Sequence, residues 1–294
     1  MTVTHPVAAT AQGGPLQVPA EVVSLGPAGD YLLLTLAAPG IAERTRPGQF
    51  AALAVGGPQS SMLLRRSFSI YRADPDADTL EIVFAVHRKG TAWLAELQPG
   101  DPVDVVGPLG RPFELPDQPV ACVLVGGGYG TAPLFSLAQR LRVRGCAVHL
   151  VLGAASEPRL FGVAEAERVA DTVTVTTEDG STGVRGRVTD VLSDLVRRTH
   201  SGQVYACGPM GMLRAVAAVA ADHDLPSQCA VEEAMACGVG VCMTCVLPVI
   251  GDDGRTRMTR SCVDGPVFAG DRVRWDAVGT VPADTVGAPT GGGH

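Results

Sequence analysis

The sequence predicts a β-barrel, then an α/β domain with a parallel sheet, then a small C-terminal unit built on cysteines. Short apolar runs punctuated by turn residues fill residues 18–115. From residue 121 onward, strand-like runs alternate with helical stretches. Near the C-terminal end stand Cys237, Cys242 and Cys245, with Cys262 farther on.

The chain has 294 residues, of which 46% are hydrophobic, enough to bury real cores. That length holds about two domains. A formal net charge of −7 argues against a nucleic-acid surface. No apolar run reaches the ~18 residues that a membrane span requires. Residues 1–17 lack a basic segment followed by an apolar one, so no secretory signal is expected there. Eight cysteines in such a chain favour a reducing, cytoplasmic setting and metal ligation over disulfides. The expected organisation is a flexible leader over 1–17, an antiparallel barrel over 18–115, an α/β domain over 116–227, a cysteine-centred unit over 228–278 and a disordered tail over 279–294.

In the barrel the candidate strands are 18–25, 31–37, 49–55, 67–71, 80–87 and 102–106. Gly26-Pro27, Pro47-Gly48, Asp74-Pro75-Asp76 and Pro99-Gly100 mark turns between them. Strands at this spacing predict a small barrel, interrupted by one short helix over 91–97. Arg65-Arg66-Ser67-Phe68-Ser69 is a candidate ligand segment within it. Arginine makes charge-assisted, bidentate bonds to phosphate. A strand presents alternate side chains to one face, so Arg66 and Phe68 would face one way, Ser67 and Ser69 the other. A solvated arginine pair beside a strand is the competing reading. His87-Arg88-Lys89-Gly90-Thr91 opens the short helix, and a helix N-terminus is a second anion site. His87 itself reads as a polar strand-end residue rather than a catalytic base.

In the α/β domain, 122–125 is a continuous apolar strand followed at once by Gly126-Gly127-Gly128-Tyr129-Gly130-Thr131 and a helix over 133–142. Strand 148–152, strand 173–177 with helix 188–197, and strand 203–207 with helix 210–221 continue the alternation. The pattern predicts a parallel sheet covered on both faces. A glycine turn after a strand offers free N–H groups and the positive end of a helix to phosphate. Pro133 stands where the third glycine of a dinucleotide motif belongs, so a tight turn without a ligand competes. Cys207-Gly208-Pro209-Met210 ends a later strand and opens another helix. Ligands bind at the C-terminal edge of such sheets. Both turns fall there and would frame a dinucleotide cleft with a thiol at its floor.

The cysteine spacing, C-x4-C-x2-C with a later fourth, fits a plant-type [2Fe–2S] cluster. Two bridged irons need four thiolates, and a tight loop must supply three from one side. Gly238 and Gly240 let that loop wrap closely. Structural zinc competes, but it pairs C-x2-C with a second such pair or with histidines, and neither follows here. Cys122 and Cys146, in or beside apolar runs, read as small core residues.

Taken in order, several segments resemble one family. They are Arg66-Ser67-Phe68-Ser69, Lys89-Gly90-Thr91, Gly107-Pro108-Leu109-Gly110, Gly126-Gly127-Gly128-Tyr129-Gly130, Cys207-Gly208-Pro209-Met210, Glu232-Glu233-Ala234-Met235-Ala236-Cys237-Gly238 and Asp264-Gly265-Pro266-Val267-Phe268. The resemblance is to the electron-transfer subunits of class 1B, NAD+-dependent dihydroorotate dehydrogenase, within the ferredoxin-NADP reductase superfamily. It covers about residues 18–275. It implies a β-barrel FAD domain, an α/β parallel-sheet nucleotide domain and a small C-terminal [2Fe–2S] domain. Arg66, Ser67, Phe68 and Ser69 would then hold the FAD pyrophosphate, ribityl chain and ring. Val83, Phe84 and Ala85 would line the flavin, and Gly90 and Thr91 would bind its phosphate. Gly127, Gly128, Tyr129, Gly130 and Thr131, with Cys207, Gly208, Pro209 and Met210, would form the NAD site. Cys237, Cys242, Cys245 and Cys262 would bind iron. In such proteins an FMN-containing catalytic partner oxidises dihydroorotate in pyrimidine biosynthesis. Electrons pass through the cluster and FAD to NAD+, and two subunits of each kind form a heterotetramer.

The chain departs from the family pattern at Ser67, where proline is usual, at Phe68, where an aliphatic residue is common, and at Tyr129, where isoleucine is usual. No paired carboxylate or Ser/His/Asp arrangement stands out, so substrate chemistry is expected on another polypeptide. Two other readings compete. One is a related FAD/[2Fe–2S] reductase serving a sulfhydrogenase, ferredoxin or oxygenase partner. The other is an iron–sulfur sensing module without turnover. NAD and NADP stay open, because no acidic ribose reader follows the second strand. Arg159 reads either as surface or as a 2′-phosphate contact.

Overall fold

The computed structural model describes residues 14–57 and 60–288. The first domain contains β1 (Leu16–Ala28), β2 (Tyr31–Ala37), β3 (Phe50–Leu53), β4 (Arg66–Ser69), β5 (Arg72–Asp74), β6 (Thr79–Phe84), helix α1 (Lys89–Leu94) and β7 (Pro102–Leu109). The strands form one seven-stranded sheet in the order β4-β3-β7-β1-β2-β6-β5. Alternate residues turn inward, so Leu34, Leu36, Ile82, Phe84, Val103 and Val105 share one buried core.

The strand expected over 67–71 is in fact split. The Ile70 N–H donates to the Gln49 carbonyl at 3.1 Å, and the next residue, Tyr71, donates to the Glu81 carbonyl at 2.9 Å. The chain therefore changes partner from the β3 side to the β6 side within one step. This closes the sheet on itself, and Phe68 packs against Phe84 with ring centroids 5.8 Å apart. Helix α1 starts earlier than expected. Thr91 Oγ1 accepts hydrogen bonds from the N–H groups of His87 at 2.9 Å and Arg88 at 3.2 Å, which fixes the first turn.

The second domain runs through β8 (Ala121–Gly127), α2 (Ala132–Val143), β9 (Ala147–Ala154), α3 (Val163–Val169), β10 (Thr172–Thr177), β11 (Val184–Arg185), α4 (Val188–Thr199), β12 (Gln203–Cys207), α5 (Met210–Asp222) and β13 (Ser227–Ala230). After it come β14 (Val246–Ile250), β15 (Thr256–Arg260) and β16 (Val267–Ala269). The second sheet has the order β11-β10-β9-β8-β12-β13-β16, with only β16 antiparallel. Cys122 and Leu124 pack with Leu134 and Leu137 of α2 on one face. Val123 and Val125 pack with Leu192 of α4 and Leu213 of α5 on the other. Burial on both faces is why this strand is an unbroken apolar run. From β8 the order passes to β9 on one side and β12 on the other. The crevice at their C-terminal ends is thus the topological switch point.

Three expected boundaries move. β1 begins at Leu16, so the end of the expected leader is barrel strand; residues 1–13 lie outside the described residues. β13 belongs to the parallel sheet, where it pairs with β12 and β16. The cysteine segment therefore leaves and rejoins one sheet edge, carrying the β14–β15 hairpin within it. The tail expected from 279 is also tied down in part. Asp284 accepts hydrogen bonds from Arg274 at 2.7 Å and Thr256 at 3.1 Å, and Thr285 bridges to Thr256. Residues 289–294 lie outside the described residues.

The two domains are pinned by a buried carboxylate. Glu165 of α3 accepts a hydrogen bond from the Tyr71 hydroxyl and pairs with Arg72 at 2.6 Å. The Arg72 guanidinium also lies 4.6 Å from the Tyr71 ring centre, a cation–π distance. Among the described residues no helix is long and apolar enough to cross a membrane.

Candidate functional site

Two clefts open along the join between barrel and sheet. The smaller, about 190 Å³, is lined by Ser67, Phe68, Ser69, Val83, Phe84, Ala85 and Thr91 from the barrel, by Tyr129, Gly130 and Cys207 from the sheet edge, and by His87, Glu232 and Met235. The larger, about 550 Å³, lies at the switch point and is lined by Gly127, Gly128, Gly130, Pro209 and Met212, with Tyr31, Arg159, Glu178 and Arg187. Tyr129, Gly130 and Glu232 line both clefts and so form the wall between them.

Close backbone approach sets the sheet edge. A Cβ placed on Gly130 would lie 2.8 Å from the Gly208 Cα, so the two glycine turns touch and tolerate no side chain there. Thr131 is buried, and its hydroxyl donates to the Gly128 carbonyl at 2.8 Å. It braces the turn and opens into neither cleft. Met210 likewise packs into the core beneath α5. Cys207 lines the smaller cleft, where burial is the main cause that pushes its thiol pKa up, followed by the Glu232 charge. Tyr129 stands edge-on to Tyr31 at 5.2 Å, and the Tyr31 hydroxyl donates to the Arg159 carbonyl at 2.8 Å. The ring is thus held by one aromatic neighbour, Tyr31.

On the barrel side the two arginines part company. Arg65 pairs with the Asp104 carboxylate at 2.6 Å and donates to its carbonyl at 2.9 Å. Arg66 instead lies over α1, so close that a Cβ on Gly90 would sit 2.7 Å from its Nε. Its Nη1 donates only to backbone carbonyls, that of Leu64 at 2.6 Å first. Among the described residues Arg66 makes no ion pair, and it lies beside Gly90. The Thr91 hydroxyl is spent on capping its own helix. Phe84 points into the barrel core while Val83 faces the α/β domain. His87, read from sequence as a strand-end residue, lines the smaller cleft. Desolvation raises the Glu232 pKa and the nearby His87 lowers it.

The cysteine loop has neither helix nor strand between β13 and β14. Cys237 Sγ accepts hydrogen bonds from the N–H groups of Val239 at 3.4 Å and Val241 at 3.3 Å. Cys245 and Cys262 are buried together against Phe50, Ala52 and Leu109 of the barrel, while Cys242 is exposed. Gly240 has φ +84, and any Cβ there would collide with Val263, next to Cys262. The Thr244 hydroxyl, with backbone donors, lowers the Cys242 thiol to about 6. Burial, with Cys245 alongside, pushes Cys262 up to about 12. Three thiols on a glycine-bearing loop, a fourth from the facing segment and N–H···S bonds fit a thiolate-bound cluster. Among the described residues no three His, Cys, Asp or Glu side chains group as a single-ion site. A two-iron cluster spreads its thiolates over two metals. The loop also abuts the barrel site: a Cβ on Gly238 would lie 3.4 Å from Ser67 Oγ. Met235 lines the smaller cleft and packs against the Cys245–Cys262 pair.

Known proteins match this layout. Residues 27–112 match a siderophore-interacting FAD-binding domain, 124–218 an oxidoreductase NAD-binding domain, and 232–274 the iron–sulfur cluster binding domain of dihydroorotate dehydrogenase B. The chain is 41% identical over 242 residues to the dihydroorotate dehydrogenase B (NAD(+)) electron transfer subunit of Bacillus caldolyticus, covering 82% of this chain and 91% of that one. This chain belongs to the dihydroorotate dehydrogenase B electron-transfer subunit family. A family member from Methanopyrus kandleri, named as a probable such subunit, is 37% identical over 272 residues, covering 92% of this chain and 97% of that one. A solved structure described as an NADH-dependent reduced ferredoxin-NADP oxidoreductase, studied for flavin-based electron bifurcation, superposes with a TM-score of 0.77 at 30% identity. That match covers 89% of this chain and 91% of the other. Like its relatives, the chain is an oxidoreductase component with FAD-binding, NAD-binding and iron–sulfur domains in the order expected from sequence.

Sequence reading missed several wall residues. Glu178 and Arg187 flank the C-terminal end of the β10 unit, on the same sheet edge as the glycine turns. Extending the edge rule to every strand finds them. Glu232 and Met235 belong to the 232–238 motif, whose sequence does not show which of its side chains turn into a cleft.

Proposed function

We propose that this chain is the electron-transfer subunit of an NAD+-dependent dihydroorotate dehydrogenase in pyrimidine biosynthesis, working with an FMN-containing catalytic subunit. One observation carries the reading: the smaller cleft lies between the larger cleft and the cysteine loop. Bound FAD exchanges hydride with a nicotinamide nucleotide and single electrons with a [2Fe–2S] cluster. The residues of the chain hold and separate these groups. Arg66 and Gly90 take the FAD phosphates; Ser67, Phe68, Ser69, Val83, Phe84 and Ala85 wall the flavin ring. Gly127, Gly128, Gly130 and Pro209 frame the nucleotide. Cys237, Cys242, Cys245 and Cys262 ligate iron.

The partner docks over the cysteine loop. Val239, Val241 and Met243 are 47%, 80% and 53% exposed there, an apolar face of the kind that marks a partner site. Two chains of each kind make the assembly. Eight cysteines, none in a disulfide among the described residues, fit a cytoplasmic setting. A second reading, a reductase serving a ferredoxin, is favoured by the likeness to the ferredoxin-NADP oxidoreductase structure. The deciding experiment mixes the purified chain with a catalytic subunit and follows dihydroorotate-driven NAD+ reduction. Turnover only with both subunits present supports the proposal. No coupled turnover, with fast ferredoxin reduction by NAD(P)H, moves the assignment to the second reading.

A further inference from the structure

We propose a separate anion site between the two domains, one that takes a small molecule bearing a di- or triphosphate group. A cavity of about 280 Å³ lies where the barrel meets the flank of α2. It shares no lining residue with either cofactor cleft. The barrel contributes Arg46, on the loop before β3, and Arg72 of β5. Helix α2 contributes Ser136, Gln139 and Arg140, spaced so that one helix face forms the wall.

The charge of this cavity is one-sided. Three arginines and no acidic residue line it, in a chain whose formal net charge is −7. Arg72 is held from behind by Glu165 at 2.6 Å and by Glu81 at 3.4 Å. Arg46 and Arg140 have no ion pair and no side-chain hydrogen bond among the described residues. Their sequence neighbours behave differently: Arg44 pairs with Glu43, Arg142 with Asp171, and Arg144 donates to the Asp117 carbonyl. The position of Arg140 near the end of α2 suits the helix dipole. That accounts for one cation, not for the presence of Arg46, which is without an ion pair among the described residues, on the facing wall from another domain. Like charges facing a shared cavity repel, and a multiply charged anion reverses that repulsion.

The chemistry selects phosphate. Guanidinium forks match phosphate oxygens bidentately and several forks together match a chain of phosphates. The volume falls just below the ~300 Å³ at which whole drug-sized ligands are accommodated. It suits a phosphate chain with part of an attached group. Such a ligand touches both domains beside the Glu165 contact, so it also ties them together.

The test is calorimetric titration of pyrophosphate and tripolyphosphate into the FAD- and cluster-loaded protein, with NAD+ saturating so that the nucleotide cleft is filled. Saturable binding is expected, weakened about tenfold by each of Arg46→Ala and Arg140→Ala. Lysine at either position restores part of the affinity. Gln139→Glu, which adds a carboxylate to the wall, weakens it as well. Flavin absorbance and flavin reduction by NADH stay unchanged in all variants. The proposal is overturned by a wild type that binds neither probe, by a double arginine variant that binds as tightly as wild type, or by citrate matching pyrophosphate in affinity.

Discussion

The nucleotide edge and the cysteine loop sit on either side of one cleft, yet different forces hold them. At the edge, β8 and β12 are buried on both faces, and their turns meet backbone to backbone at Gly130 and Gly208. The loop has no regular structure and three exposed apolar side chains. Its own ties are few, chiefly the N–H bonds to Cys237 and a 2.7 Å bond from Arg260 to the Gly240 carbonyl. Core packing therefore shapes the edge before any ligand arrives. With a cluster bound, metal–thiolate bonds would supply the order that these few ties do not, as in small metal-dependent folds.

The sharpest way to break this contrast is to remove the metal. With Cys245→Ser, cluster absorbance and electron transfer to the partner should vanish, because serine oxygen is a poor ligand for iron in a thiolate site. FAD should stay bound and NADH should still bleach it. Hydrogen exchange should rise across 231–263 alone. A rise across β8 and β12 as well would show that the edge also depends on the cluster.

The next largest effect tests the edge's footing. Glu165→Ala leaves Arg72 without its closest partner and the buried Tyr71 hydroxyl without an acceptor. Chemical denaturation should show a loss of about 2–4 kcal/mol, below the cost of a fully buried pair because Arg72 is 43% exposed. The cluster spectrum should not change.

A third variant separates the flavin from both regions. Arg66→Ala removes a charge-assisted contact of about 1.5–3 kcal/mol. FAD should be lost on dialysis while iron and sulfide content hold. Full flavin occupancy would rule Arg66 out as a phosphate ligand.

The smallest effect concerns Glu232 in the dividing wall. Desolvation raises its pKa in the folded state, so its favourable contribution is complete at low pH and is lost as pH rises through the raised value. Glu232→Gln should therefore melt slightly higher than wild type near neutral pH. The two melting curves should converge below the ordinary glutamate range.

Legibility in the sequence followed the same contrast. The glycine turns could be read because backbone chemistry demands glycine at strand ends, and the cysteines because iron demands four thiolates. The inward roles of Thr131 and Met210 could not, since a motif marks a turn but not the direction of each side chain. The split of β4 from β5 left no pattern, because Ile70 and Tyr71 look alike whichever strand they pair with. β13 is hard to read as a parallel strand because Ser227-Gln228-Cys229-Ala230 lacks the apolar run of the other parallel strands. The Tyr71–Arg72–Glu165 contact joins residues 94 and 93 positions apart, and no local spacing announces it.

The pairing of Ala230 with Val267 has an engineering consequence. The cysteine segment enters and leaves through neighbouring positions on adjacent strands, so its two ends are already side by side. Adjacent ends are the geometry that domain insertions favour. A short turn in place of 231–266 would remove the four-cysteine loop but also Glu232 and Met235 from the cleft walls and Leu247 from the sheet core, so the excised redox cassette carries part of the flavin site with it. Its landing pad is the apolar floor of Phe50, Ala52 and Leu109, and a recipient scaffold would have to supply the same floor.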